Sequence, residues 1–206
     1  MLTIWGRNNS TNVKKVLWCA EEIGLPYEWI PAGGSFGLTA DPEYRVLNPT
    51  GLVPTIRDGD FVLWESNAIV RYLSGRYADG TLAPSEPTVR AAADRWMDFA
   101  TSSLAGPFRD VFWGTVRTPP EKRDLAAIDA GREKCGALLA IVDQALARQP
   151  WLSGTEFGMG DIPLGCLAYG WFEMPIERPD LPHLAAWYER LKERPAYQKA
   201  VMIGLS

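Results

Sequence analysis

The apolar residues of this chain repeat with two periods up to about residue 77 and with only the helical one beyond residue 88. That switch limits the fold more than any composition figure, because side chains alternate faces along a strand but return to one face only every third or fourth residue of a helix. Leu2–Trp5 is a short apolar run. After Asn12, the residues Val13, Val16, Leu17, Ala20 and Ile23 keep helical spacing, and Gly24 stands where a helix stops. Tyr27–Ile30 reads as a second strand, so the opening is a βαβ unit with parallel strands and a right-handed crossover. Past a polar, glycine-rich stretch from Pro31 to Thr39, the runs Pro54–Ile56 and Phe61–Trp64 flank Asp58-Gly59-Asp60, a hairpin signal. Ser66 is then placed to cap a helix carrying Ala68, Ile69, Tyr72 and Leu73.

Between Ala78 and Thr88 the composition turns to Gly80, Pro84, Ser85 and Pro87, which reads as a linker. Beyond it the spacing predicts helices over Arg90–Trp113, Glu121–Ala147, Ile162–Phe172, Leu184–Arg194 and Ala196–Met202. The expected fold class is α/β plus all-α: a βαβ-ββα domain over 1–78, a linker over 79–88 and a helical bundle over 89–206. With 21 basic against 25 acidic residues, and only Lys14-Lys15 and Lys122-Arg123 adjacent, no nucleic-acid surface or anionic-membrane anchor is expected. No apolar run approaches the ~18 residues of a membrane span. Nothing near Met1 resembles a secretory signal, so the expected location is cytoplasmic. Cys19, Cys135 and Cys166 are far apart and outside any CxxC or metal spacing, which predicts three packed free thiols. His183, the only histidine, reads as a structural residue near a helix start, and no metal site is expected.

Four segments, in order, resemble the glutathione transferase family, and together they cover nearly the whole chain. Ser10-Thr11-Asn12-Val13-Lys14-Lys15-Val16 is similar to the serine-containing active-site loop of theta-like and related bacterial members. Asn48-Pro49-Thr50-Gly51-Leu52-Val53-Pro54 resembles the family's NPxGxVP segment, whose last proline is cis. Trp64-Glu65-Ser66-Asn67-Ala68-Ile69 is similar to the glutamate-serine pair that opens the third helix. Gly158-Met159-Gly160-Asp161-Ile162 resembles the hydroxyl-x-x-Asp capping motif of the C-terminal domain, with Gly158 in place of the hydroxyl.

The resemblance implies a thioredoxin-like N-terminal domain, glutathione as co-substrate, a homodimer with the helix from Arg90 at its interface, and a small hydrophobic electrophile as second substrate. It implies that Leu52, Val53 and Pro54 hold the peptide backbone of glutathione, and that Glu65 and Ser66 receive its γ-glutamyl end. It also implies a pocket lined by Phe108, Phe112 and Trp113. Elementary chemistry agrees with part of this: the residue before a proline is extended and presents an edge to a peptide, and a helix start favours a carboxylate. Ser10 is the expected thiolate partner, with Asn12 the alternative. Leu52 stands where many members carry lysine, leaving Arg7, Lys14 or Arg45 as substitutes to anchor the glycyl carboxylate. Asp94 or Asp98 is a candidate to reach the partner's glutathione. Peroxidase or isomerase chemistry with the same thiolate, and a non-catalytic interaction module, stay open as alternatives. Thiol transfer by the protein itself is not expected, since the strand-one loop has no cysteine.

Overall fold

The computed structural model describes residues 1–206. Four strands, β1 (Leu2–Trp5), β2 (Tyr27–Ile30), β3 (Thr55–Asp58) and β4 (Phe61–Trp64), form one sheet in the order β2-β1-β3-β4. β1 and β2 are parallel, with Leu2 opposite Tyr27, and the other two pairs are antiparallel. The crossover helix α1 (Thr11–Ile23) and α3 (Ser66–Tyr77) pack on the sheet, and Gly24 ends α1 in the left-handed conformation at φ 69°. A βαβ-ββα domain is therefore present, as the alternation of periods implies.

Periodicity does not announce α2 (Pro42–Leu47), which has Asp41 at its N-cap and Pro42 in its first turn. Its apolar face is little more than Tyr44, too short for periodicity to reveal. Ser66 is not the cap of α3: Glu65 holds that position at φ 72°, ψ 111°, and Ser66 is the first helical residue.

The helical domain comprises α4 (Pro87–Phe99), α5 (Ala105–Phe112), α6 (Leu125–Leu146), α7 (Asp161–Glu173), α8 (Pro182–Lys192) and α9 (Pro195–Ala200). The segment read as one helix from Arg90 to Trp113 starts earlier, at Pro87, and carries two π-helical turns, Ala100–Leu104 and Trp113–Arg117, on either side of α5. α6 starts at Leu125 rather than near Glu121, because Asp124 caps it through the Ala127 N–H at 3.0 Å. No helix is long and apolar enough to cross a membrane. His183 lies exposed in the first turn of α8, and Cys19, Cys135 and Cys166 are all free and buried.

The two domains share one core. Trp18 of α1 is fully buried, with its ring 4.7 Å from that of Tyr197 and 5.5 Å from that of Phe157. Gly165 in α7 makes that approach possible, since a Cβ there would lie 2.7 Å from the Trp18 ring. Arg194 clamps Glu22 through two bonds of 2.7 Å. These contacts fix the second half of α1 against the helical domain, and the cavity described next opens at its other end.

Candidate active site

Ser10 is the N-cap of α1. Its carbonyl accepts the Lys14 N–H at 2.9 Å, but its hydroxyl makes no capping bond. The first N–H groups of a helix have no partner within it, so this end of α1 offers both unpaired donors and an unengaged hydroxyl. They face a cavity of about 450 Å3 between the two domains. Ser10 and Asn12 line one wall, while Phe108, Phe112 and Trp113 line the other. The structure thus brings together five of the residues that sequence reasoning singled out. Phe108 is buried with its ring 6.0 Å from Phe112 in a near-parallel stack, and Trp113 is half exposed. Gly170 of α7 lets Phe108 sit there, because a Cβ on it would lie 2.7 Å from the ring.

The residues expected to hold the peptide backbone and the γ-glutamyl end, Leu52, Val53, Pro54, Glu65 and Ser66, lie outside that cavity's lining, on either side of the β3–β4 hairpin. The Val53–Pro54 bond is cis. Tyr44 Oη and Asn48 Nδ2 both donate to the Leu52 carbonyl, at 2.6 and 2.9 Å, and both also bond Thr55 Oγ1. This pins the loop while the backbone N–H and C=O of Val53 have no partner within the chain. A free extended pair of this kind is what an added peptide strand requires. The Leu52 side chain is 66 % exposed.

Glu65 and Ser66 connect to the cavity through Lys15, a residue the sequence reading did not select. Its Nζ donates to Ser66 Oγ and Asn67 Oδ1, each at 3.4 Å, and it also lines the cavity. Asn67 in turn donates to the Met97 carbonyl at 2.7 Å and to Thr101 Oγ1 at 3.0 Å, locking the start of α3 to the helical domain. Burial pushes the Lys15 ammonium down to about 8, partly opposed by the charge of Glu65. The left-handed φ of Glu65 is the kind of backbone strain, about 1–3 kcal/mol, that persists where surrounding contacts over-determine it. A signal for Lys15 existed in the spacing, since it follows Thr11 by one helical turn, but nothing in the sequence distinguishes it from Lys14.

The three basic candidates for the glycyl carboxylate separate clearly. Lys14 turns away: its Nζ donates to the carbonyls of Val201 and Ile203 and stands over the Tyr169 ring. Arg45 folds against Gly51 and donates to the Pro49 carbonyl at 3.1 Å. Arg7 alone lines the cavity. Asp94 and Asp98 are both held by Arg71.

The capping motif of α7 is intact in chemistry though not in sequence. The buried Asp161 carboxylate accepts from the N–H groups of Leu152, Ser153 and Gly158 and from Trp187 Nε1, at 2.8 to 3.2 Å. The hydroxyl absent from position 158 comes instead from Ser153, whose Oγ accepts the Gly160 N–H at 3.0 Å.

Comparison with known proteins bears on the whole chain. The family models described as glutathione S-transferase, N-terminal domain and C-terminal domain match residues 9–76 and 126–190. The chain is 50 % identical over 208 residues to glutathione S-transferase GstB of Escherichia coli, with all of both chains covered. It is 33 % identical to glutathione S-transferase 3 of Zea mays, covering 97 % of this chain and 93 % of that one. Among solved structures, the theta class glutathione S-transferase from Xanthomonas axonopodis pv. citri with glutathione bound superimposes with a TM-score of 0.96. That match is at 61 % identity and covers 100 % of this chain and 99 % of the other. The fold, the unpaired Val53 backbone, the strained Glu65 at the start of α3 and these full-length matches converge: the chain belongs to the glutathione S-transferase family.

Proposed function

We propose that this transferase lays glutathione along the Val53 backbone, receives its γ-glutamyl carboxylate at the start of α3, and holds its sulfur as a thiolate beside Ser10. The thiolate then attacks a hydrophobic electrophile seated among Phe108, Phe112 and Trp113. The observation that carries this reading is the Ser10 hydroxyl, unengaged at a helix start and facing a cavity whose far wall is aromatic.

The energetics are of the right size. A free thiol with pKa ~8.5 is about 3 % ionised at pH 7, whereas ~6.5 makes it roughly 75 % ionised, which requires about 2.7 kcal/mol of preference for the thiolate. A hydrogen bond to a charged acceptor supplies about 1.5–3 kcal/mol. A helix start adds about 0.3–2 kcal/mol. Lys15 contributes a buried positive charge under Ser66, where the γ-glutamyl carboxylate is placed, and Glu65 faces the ammonium of the same end. Arg7 is the candidate for the glycyl carboxylate. Asn12 shares the Ser10 wall and is the competing donor. The protein's own thiols do not compete for the chemistry: burial pushes Cys19 and Cys166 up to about 12. Detoxification and a homodimer formed through the α4 side belong to the same proposal.

Titrating the ultraviolet absorbance of the bound thiolate against pH tests it. An apparent pKa near or below 7 that climbs toward the free value in Ser10→Ala supports Ser10 as donor. A climb confined to Asn12→Ala moves the role to the amide. No binding, or binding with an unshifted thiol, overturns the mechanism.

A further inference from the structure

The cavity beside Ser10 carries a charge imbalance that thiolate formation does not use up. Its lining holds Arg7, Lys15, Arg109 and Arg117 and no aspartate or glutamate. Lys15 and Arg7 belong to the thioredoxin-like side, where the two carboxylates of glutathione are placed. Arg109 and Arg117 rise from the opposite wall, on α5 and the π-helical turn that follows it, in the same stretch as Phe108, Phe112 and Trp113.

Arg117 is held in position. Its guanidinium lies 5.4 Å from the Phe112 ring centre and 5.1 Å from that of Trp113. The end of its helix is braced by Arg123, which donates to the carbonyls of Thr115 and Thr118 at 2.5 and 3.0 Å. Burial lowers the Arg117 pKa, and the positive charge of Arg7 lowers it further. Neither pairs with an aspartate or glutamate side chain: Arg7 donates to the neutral Asn9 Oδ1 at 2.9 Å. Arg117 directs Nε and Nη2, the pair that grips a carboxylate in a fork, at the main-chain oxygen of Ser206, at 3.2 and 2.9 Å. An oxygen acceptor thus already occupies the place that an acid group takes. Ser206 belongs to a stretch without regular structure after α9, so it is displaced without unfolding a helix. Arg109 stands at the mouth, exposed, with only a 3.4 Å contact to its neighbour Asp110.

We propose that the second substrate is an aromatic electrophile bearing an anionic acid group, its ring among Phe108, Phe112 and Trp113 and its acid group on Arg117 in place of Ser206. The proposal rests on the transferase reading and names its substrate class. For the probe 4-chloro-3-nitrobenzoate the step balances simply. The glutathione thiolate forms a bond to the ring carbon that carries chlorine, and the carbon–chlorine bond breaks with its electron pair leaving as chloride. The thiol proton has already passed to solvent, and no oxidant or reductant takes part.

The test compares kcat/KM for 4-chloro-3-nitrobenzoate and its uncharged analogue 4-chloro-3-nitrobenzamide, each divided by the uncatalysed rate with glutathione. The wild type is expected to prefer the acid by about tenfold or more, the size of one charge-assisted hydrogen bond. Arg117→Gln brings the ratio toward one, Arg117→Lys restores part of it, and Arg109→Gln lowers it by less. A wild-type ratio at or below one, or a ratio unchanged in Arg117→Gln, overturns the proposal. If neither compound is turned over, the transferase reading has failed, and calorimetric titration with 3-nitrobenzoate and 3-nitrobenzamide still decides the site. Tighter binding of the acid that is lost in Arg117→Gln supports the anionic pocket, and equal binding of the two overturns it.

Discussion

Lys15 shows how one buried charge ties a binding site to pH. Its ammonium is depressed to about 8 by burial, so at pH 7 it is largely protonated and at pH 9 largely neutral. A carboxylate bound at Ser66 stabilises the charged form and raises that pKa, so binding takes up a proton above pH 8 and affinity falls as pH rises through that value. With S-methylglutathione, which has no thiol to ionise, the Lys15 contribution to affinity is expected to fall by up to about tenfold between pH 7 and pH 9. In Lys15→Met this component disappears, leaving only the titration of the peptide's own amine; calorimetry across the range measures both. Stability follows the same linkage with its own sign. The unfolded chain binds more protons than the folded one between about pH 8 and 10.5, so this residue makes the protein more stable as pH rises across that window. The sequence does not single out Lys15 from Lys14, because lysine is a surface residue by default, and only the packing of α1 under Ser66 gives it its role. Ser10 was legible, since a serine between a strand and a helix is a capping residue on chemistry alone. That its hydroxyl is left unengaged was not.

At the scale of elements, the start of α7 depends on one carboxylate serving four donors. Asp161→Ala leaves those buried donors unsatisfied and is expected to cost more than about 3 kcal/mol. Thermal unfolding reads this as a large drop in Tm, or as failure to obtain folded protein. Ser153→Ala removes one accepting oxygen and is expected to cost about 1 kcal/mol. Position 158 gives a sharper case. Restoring the family hydroxyl with Gly158→Ser is expected to destabilise this chain, by about 1–3 kcal/mol. A Cβ there would lie 2.9 Å from Ser153 Oγ and from the Leu82 carbonyl, so the space is already taken. A Tm equal to or above wild type in that variant would show that the neighbours give way. The substitution of glycine was readable in the sequence as a departure; its compensation five residues earlier was not, because a loop's return path has no periodicity. The π-helical turns were likewise hidden, since an inserted residue shifts the apolar stripe by too little to be told from ordinary irregularity.

The whole molecule behaves as one cooperative body, because its core is continuous from Leu2 of the sheet through Trp18 to Tyr197 and Val201 of the helical domain. Heat or denaturant is expected to unfold it in one transition, with near-ultraviolet and far-ultraviolet signals coinciding. Trp18→Ala is expected to lower stability by about 3–5 kcal/mol and to affect both domains at once. A fragment comprising 1–78 leaves Trp18, Lys14 and Glu22 without their partners in the helical domain and is expected not to fold alone; a cooperative melt of that fragment would contradict the shared core. By itself the sequence determined the order of strands and helices, the turn after α1, the hairpin and the family, because these rest on local periodicity, turn chemistry and short motifs. The tertiary structure alone decided which polar side chains meet. Lys15 under Ser66 and Lys14 on the C-terminal tail pair residues far apart in the chain, while Arg117 over Phe112 and Trp113 and Ser153 in the place of a lost hydroxyl join residues a turn or a loop apart. Their energies depend on burial and distance, which arise only once the domains close on each other, and no local pattern encodes either.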